Sequence, residues 1–182
     1  MMKKYELTDD TITVEGRTLH RIKALKSFSK VEEGELGGYV EKEDNLDQSG
    51  DAWVSGNAQV SENARVRGNA WVSGNARVRG NARVRGNARV SENAQVSGNA
   101  VVSGNARVSG ENDYTTAKGF GRKYRTTTFF RLQDGEIGVR CGCFCGTLEE
   151  FRAKVKETHK ESKMGKEYLM LADLMEYKFK DA

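Results

Sequence analysis

Residues 53–112 read WVSGNA-QVSENA-RVRGNA-WVSGNA-RVRGNA-RVRGNA-RVSENA-QVSGNA-VVSGNA-RVSGEN, so one six-residue unit recurs without an insertion. Valine returns at this interval from Val54 to Val108, and alanine does so from Ala52 to Ala106. An α-helix repeats about every 3.6 residues, and a period of six therefore keeps no apolar stripe on one helical face. Within each Ala-x-Val triplet, by contrast, the two apolar side chains lie on the same side of an extended strand.

Turn residues complete the unit. Gly-Asn or Glu-Asn follows the strand in almost every copy, and these residue types tolerate the positive φ of a tight turn. One such short strand cannot bury its apolar side chains alone, whereas stacked copies enclose them in a narrow prism. A thin core of this kind fits a chain that is 37% hydrophobic and contains no proline, because proline would remove a donor from the strand ladder.

The repeat resembles the hexapeptide-repeat family, whose fold is the left-handed parallel β-helix. An aliphatic residue such as Val54 is followed four positions later by a small one such as Ala58, and this pattern holds along the repeat. The resemblance implies three units in each triangular coil, so that residues about 18 apart stack. We therefore predict a mainly β fold with about three to four coils. A weaker first coil includes Leu36, Val40 and Leu46.

The chain divides into three predicted units. Residues 1–34 contain a β-hairpin around Glu15-Gly16-Arg17, which we expect to cap one end of the β-helix. Residues 35–112 form the β-helix itself, and residues 113–182 form a small C-terminal α+β domain with a β-hairpin and two helices.

The hairpin and helices of the C-terminal domain have clear signals. Residues 126–133 and 136–141 predict two strands joined by a two-residue turn at Asp134-Gly135. Thr147 and Glu150 form a capping box that opens a helix to about His159, and a second helix begins near Gly165. The expected buried side chains of these helices are Leu148, Phe151, Val155, Leu169, Leu171, Ala172, Leu174 and Met175.

The segments that flank the repeat are also similar to those of short hexapeptide-repeat proteins found in bacteriophages, prophages and their hosts. The similarity is carried by LGGYVE at residues 36–41 with EDNL at 43–46, and by CGCF at residues 141–144 with GTLEEF at 146–151. It implies a phage or prophage type of protein, and it brings no catalytic motif with it.

Stacking places arginines in outward columns of the repeat. Residues 53–110 hold eight arginines and two glutamates, and like charges at strand spacing repel unless an anion neutralises them. The group is a solvated face, or it pairs with residues 41–44 of a neighbouring copy, or it is a site for an anion such as a nucleotide or nucleic acid. The candidate ligand-binding residues are Arg65, Arg67, Arg77, Arg79, Arg83 and Arg85.

Two tryptophans, Trp53 and Trp71, fall in one outward column together with Arg89. Exposed aromatic patches mark contact surfaces, and members of the resembled family commonly form trimers through such faces. We predict that Trp53, Trp71 and Arg89 belong to a homo-oligomer interface. Cover by a terminal segment and a platform for a stacked ligand are the alternatives.

Enzymes of the resembled family depend on histidine. Its acyltransferases use a histidine base, and its zinc carbonic anhydrases need three imidazoles on the metal. Residues 35–112 contain neither histidine nor cysteine, and the chain has only His20 and His159. We predict no enzyme activity, catalytic residue, metal or cofactor. The alternative is an acyltransferase-like enzyme whose base is His20 or His159.

The three cysteines lie close together as Cys141, Cys143 and Cys145. Because they alternate with other residues, a strand would point all three sulfur atoms in one direction. Metal sites more often use two-residue gaps, so we predict a packing role, with metal or redox chemistry as the alternative.

These features favour a non-enzymatic, self-associating β-helix that presents an arginine-rich face to a protein or an anionic ligand. For a phage protein the partner is a host or virion protein, and the alternative is a counter-defence protein that sequesters a nucleotide immune signal. No apolar run follows Met1, and none approaches the ~20 residues of a membrane span. We therefore expect a cytoplasmic protein without a membrane partner.

Overall fold

The N-terminal segment forms a hairpin. The structure is a computed structural model, and it describes residues 3–121 and 123–180. Strands β1 (Tyr5–Val14) and β2 (Arg17–Ala24) pair antiparallel around Glu15 and Gly16, whose φ angles are 49° and 77°. Two positive φ angles in a two-residue turn suit the right-handed twist of a hairpin. Strand β3 (Leu36–Val40) then pairs antiparallel with β2 and leads into the repeat.

Each six-residue unit of the repeat forms a two-residue strand and a turn. The ten strands are β4 (Trp53–Val54), β5 (Gln59–Val60), β6 (Arg65–Val66), β7 (Trp71–Val72), β8 (Arg77–Val78), β9 (Arg83–Val84), β10 (Arg89–Val90), β11 (Gln95–Val96), β12 (Val101–Val102) and β13 (Arg107–Val108). They stack in three parallel sheets, ordered β4-β7-β10-β13, β3-β5-β8-β11 and β6-β9-β12. The three sheets are the faces of a prism, and the predicted β-helix is confirmed.

The coil that precedes the regular repeat is also present. Val40 pairs with Val60, and Leu46 forms a bridge to Val66, so the solenoid has four coils. Val40 and Leu46 are buried, as expected, whereas Leu36 is 50% exposed. Leu36 lies at the start of β3 and points away from the prism, so its predicted place in the core is wrong.

The interior of the prism is filled by valine and alanine. All the valines at the repeated position and all the alanines beside them are at most 1% exposed. At the corners, asparagine side chains hydrogen-bond from coil to coil, as in the bonds of Asn57 to Asn75 (3.3 Å) and Asn75 to Asn93 (3.2 Å). The thin core is therefore supported by a continuous polar ladder at each corner.

Each end of the solenoid leaves backbone groups without a next coil, and other segments satisfy them. At the N-terminal end, the buried Lys4 ammonium donates to the carbonyl oxygens of Ala52 (2.8 Å) and Gly50 (3.2 Å). The Asn45 amide donates to the carbonyl oxygen of Ala64 (2.9 Å). The predicted N-terminal hairpin is confirmed, and Lys4 at its start caps the first coil.

The C-terminal sheet covers the other end. The N–H of Val101 donates to Thr128 Oγ1 (3.0 Å), and the N–H of Ser97 donates to the Tyr114 hydroxyl (3.3 Å). Phe130 inserts its ring into the hydrophobic core of the solenoid. The last coil is therefore closed by side chains of the C-terminal domain.

The C-terminal domain is an antiparallel sheet with two helices. Its strands are β14 (Tyr114–Phe120), β15 (Arg125–Arg131), β16 (Ile137–Cys141) and β17 (Phe144–Thr147), in that order, followed by α1 (Leu148–His159) and α2 (Lys163–Lys180). Thr147 caps α1 and forms the expected capping box with Glu150. No helix in the described part of the chain is both long and apolar enough to cross a membrane.

Two details of this domain differ from the sequence predictions. Arg131 pairs with Ile137 and the N–H of Leu132 bonds to Glu136, so the hairpin loop has three residues, ending at Gly135 with φ 88°, and not two. A three-residue loop with glycine in the left-handed region is a favoured hairpin connection. Leu174 is 57% exposed, because it lies at the edge of the buried stripe of α2 that contains Leu171 and Met175.

Candidate functional site

One face of the prism, formed by β6-β9-β12, carries two stacked rows of arginine. Arg65 pairs in register with Arg83, and Arg67 and Arg85 follow them two residues later. Neighbouring coils lie about 4.8 Å apart, so the guanidinium groups of the two rows are close neighbours. They line a concavity of about 140 Å³.

The next coil has no arginine at these positions. Val101 stacks on Arg83, and Ser103 occupies the position in this coil that corresponds to Arg85. The C-terminal sheet supplies the missing charge, because Arg125 of β15 and Arg140 of β16 line a second concavity of about 170 Å³ together with Arg83 and Arg85. The two concavities share Arg83 and Arg85 and are therefore adjacent. We call this region the arginine cleft, formed by Arg65, Arg67, Arg83, Arg85, Arg125 and Arg140.

Local contacts position the two arginines of the C-terminal sheet. The bond from the Val101 N–H to Thr128 Oγ1 fixes β15 against the last coil, and Thr128 pairs in register with Arg140. Gly142 has φ 59°, and a Cβ there would lie 3.0 Å from Arg125 Nη1. The glycine thus permits both the turn after β16 and the close passage of the Arg125 side chain.

The charge of the cleft is not neutralised by ion pairs. Over residues 3–121 and 123–180, no carboxylate lies within 4.0 Å of any of the six guanidinium groups. The carboxylate of Asp47 interacts electrostatically with one of them, the guanidinium group of Arg67. Burial opposes its ionisation, but hydrogen bonds from Ser49 and the charges of Arg67 and Lys4 hold the pKa of Asp47 below its usual value. Like charges at this spacing repel, and an anion in the cleft would relieve that repulsion.

Two of the six predicted ligand residues lie elsewhere. Arg77 and Arg79 are on the face formed by β5-β8-β11, where Arg77 stacks between Gln59 and Gln95. Arg79 donates to the Glu15 carboxylate at the tip of the N-terminal hairpin (2.8 Å). The structure brings Arg65, Arg67, Arg83 and Arg85 together, and it separates Arg77 and Arg79 from them.

The tryptophan column is only partly exposed. Trp53 is 0% exposed, because the rings of Tyr5 and Phe28 cover it edge-on with centroid distances of 6.5 and 5.4 Å. The prediction that Trp53 belongs to an oligomer interface is therefore wrong, and the N-terminal segment is its cover. Trp71 remains partly exposed with its Nε1 donating to Ser55 Oγ (3.1 Å), and Arg89 beside it is exposed.

The cysteines do not share one face. Cys141 ends β16, Cys143 lies in the turn, and Cys145 is in β17. Thr127 Oγ1 donates to the sulfur of Cys141 (3.2 Å), which lies near the helices, whereas the sulfur of Cys145 is 3.5 Å from Ser103 Oγ of the solenoid. One strand does not carry all three, because the chain reverses between them. Cys141 is half-buried, but Cys143 and Cys145 are exposed, so the predicted packing role is wrong for those two. Within the described residues no three His, Cys, Asp or Glu side chains are grouped for a metal ion.

The two histidines have structural contacts away from the cleft. Nδ1 of His20 lies 3.1 Å from the carbonyl oxygen of Thr8 in the N-terminal hairpin. The ring of His159 lies against Tyr168, with a centroid distance of 5.7 Å, at the end of α1.

A larger cavity, of about 600 Å³, lies between the C-terminal sheet and the two helices. Two of its arginines are already paired, since Arg152 donates to Asp173 (2.6 Å) and Glu176 (2.7 Å) and Arg131 Nε lies 3.4 Å from Asp113 Oδ1. The smaller arginine cleft is the better candidate because its charge has no such partner.

Sequence reasoning missed Arg125 and Arg140. The available signal was the change from arginine to Val101 and Ser103 in the last coil, which indicated that another segment covers that position. It did not indicate which residues of the C-terminal domain take the place of the missing arginines.

Comparison with known proteins supports the solenoid. A family model described as the YdcK beta solenoid repeat matches residues 58–74 and 94–110. No curated protein matches the chain. The matched residues lie within the coils, and together with the four-coil structure they identify a β-solenoid repeat protein.

Proposed function

We propose that this protein is a non-enzymatic β-helix binding protein that presents the arginine cleft to an anionic ligand. The observation that carries the proposal is the convergence of six arginines from two parts of the chain. Four come from the solenoid and two from the C-terminal sheet, with no carboxylate paired to any of them among the described residues.

The chemistry of guanidinium supports an anion with several oxygen atoms. Its planar fork of donors matches phosphate and carboxylate with two parallel hydrogen bonds, and charge-assisted bonds of this kind are strong. A ligand between Arg83 and Arg125 would contact the solenoid and the C-terminal sheet at once. Binding is therefore expected to stabilise the folded state as a whole.

Self-association through the face of Trp71 and Arg89 is a further part of the proposal, with a trimer as the form that the family resemblance favours. The phage or prophage type, the cytoplasmic location and a host or virion protein partner rest on that resemblance as well. Capture of a nucleotide signal fits the same cleft. The acyltransferase-like alternative has weaker support, because neither His20 nor His159 lines the cleft.

A thermal-shift experiment tests the proposal. The protein is heated at low ionic strength with orthophosphate, citrate or inorganic tripolyphosphate, and the double variant Arg83→Glu/Arg85→Glu is compared with Arg77→Glu/Arg107→Glu. Both pairs of positions lie on the outside of coils, and the second pair lies on the other two faces. We expect at least one anion to raise the Tm of the natural protein and the control, but not that of the cleft variant. Equal shifts in both variants, or no shift with any anion, would exclude the proposal.

A further inference from the structure

The arginines of the cleft form three successive rows. Arg65 and Arg67 belong to one coil, and Arg83 and Arg85 belong to the next. Arg125 and Arg140 of the C-terminal sheet form the third row, and they line a concavity together with Val101, which stacks on Arg83 in the next coil. The first two rows are about 4.8 Å apart, and the third row lies beyond Arg83 and Arg85, on the side of Val101.

The two concavities between these rows have similar sizes, about 140 and 170 Å³, and the middle row lines both. Together they reach the lower end of the volumes that enclose small ligands. A single phosphate in either concavity would contact two rows and leave the third row unpaired. Two linked phosphates would place one anionic group between each pair of rows, with Arg83 and Arg85 shared.

We infer that the cleft recognises a chain of linked phosphates, as in inorganic polyphosphate or the phosphate chain of a nucleotide. This inference rests on the proposed anion-binding function and specifies its ligand. We call the Arg65/Arg67 row and the Arg125/Arg140 row the end rows. Each end row adds charge-assisted hydrogen bonds that only a ligand long enough to reach it can form.

Tyr124 offers a means to separate the two sources of such a ligand. It directly precedes Arg125, its side chain is 70% exposed, and its φ is 47°. A residue other than glycine in this backbone region is strained, and such strain is concentrated at functional positions. An exposed aromatic ring next in sequence to a cleft arginine can stack on a nucleobase.

Isothermal titration calorimetry with orthophosphate, pyrophosphate and tripolyphosphate tests the inference. We expect affinity to rise about tenfold or more from orthophosphate to tripolyphosphate. Arg125→Ala/Arg140→Ala and Arg65→Ala/Arg67→Ala should each remove most of that gain while orthophosphate binding persists. The control Arg77→Ala should bind all three as the natural protein does, and circular dichroism checks that each variant is folded.

The results separate the inference from the proposed function. If all three anions bind with equal affinity and substitution of the end rows does not change that affinity, the cleft is an anion site but the inference is wrong. If none binds, or if Arg83→Ala/Arg85→Ala binds them unchanged, the proposed function fails as well. A nucleoside triphosphate that binds more tightly than tripolyphosphate, with Tyr124→Ala abolishing only that difference, identifies the nucleotide as the source. Equal binding of the two, unaffected by Tyr124→Ala, identifies the inorganic chain.

Discussion

Replacing Lys4 with methionine tests how the solenoid is closed at its N-terminal end. The Lys4 side chain is 1% exposed, and its ammonium group bonds to the carbonyl oxygens of Ala52 and Gly50 and lies 5.0 Å from the centre of the Phe28 ring. Methionine has a similar length but no donor, so at least the buried Ala52 carbonyl loses its partner. We expect a loss of about 1–3 kcal/mol in the free energy of unfolding near pH 10, where the wild-type amine is largely neutral.

The pH dependence of this effect has a definite sign. Burial lowers the pKa of Lys4 to about 8 from 10.5, although Asp47 and Asp51 act in the opposite direction. The unfolded chain therefore binds more protons than the folded chain between pH 8 and about 10, and the stability of the folded state rises with pH over this window. The full depression corresponds to about 3 kcal/mol. Burial raises the pKa of Tyr5, so stability is lost again as pH rises through about 10, where this phenol ionises in the unfolded chain.

Urea unfolding followed by circular dichroism at pH 7, 8, 9 and 9.8 measures this effect. The free energy of unfolding of the natural protein should rise across the last three points relative to that of Lys4→Met. The control Lys30→Met replaces an exposed lysine and should follow the natural protein. A Lys4→Met variant whose stability has the same pH dependence as the natural protein would refute the reasoning.

Three other predictions follow from the packing and the turns. Trp53→Ala should lower the free energy of unfolding by about 3–5 kcal/mol in denaturant titrations, because the ring is fully buried; a loss below 1 kcal/mol would contradict its place in the core. Trp71→Ala should leave the fold intact and, if the proposed interface exists, reduce the mass measured by light scattering to that of a monomer; an unchanged oligomer would place the interface elsewhere. Glu92→Gly should raise stability by up to about 1 kcal/mol, because Glu92 has φ 56°, whereas Gly74→Ala should lower it, since the new Cβ would lie 2.8 Å from the Glu92 nitrogen.

The solenoid could be predicted because its register depends only on local repetition. A unit of constant length with valine at one position determines which residues stack, and the observed pairs Trp53 with Trp71 and Arg65 with Arg83 follow directly. Helix α1 was predictable for a similar reason, since the capping box at Thr147 acts within four residues.

The errors at the candidate site concern contacts between distant segments. The outward position of Trp53 in its strand gives no sign that Tyr5 and Phe28 will cover it. The positions of Arg125 and Arg140 depend on how the C-terminal sheet meets the last coil, through Thr128 and the buried ring of Phe130. Four of the six arginines of the cleft could therefore be predicted from periodicity, and the other two required the docking of two units.

A crystal structure of the protein grown with tripolyphosphate tests the central claim most directly. The account predicts the anion in the arginine cleft, with its oxygens on Arg83 and Arg85 and its two ends reaching Arg65 or Arg67 on one side and Arg125 or Arg140 on the other. An anion bound at another surface, or a cleft that stays free of anion at saturating concentration, would contradict it.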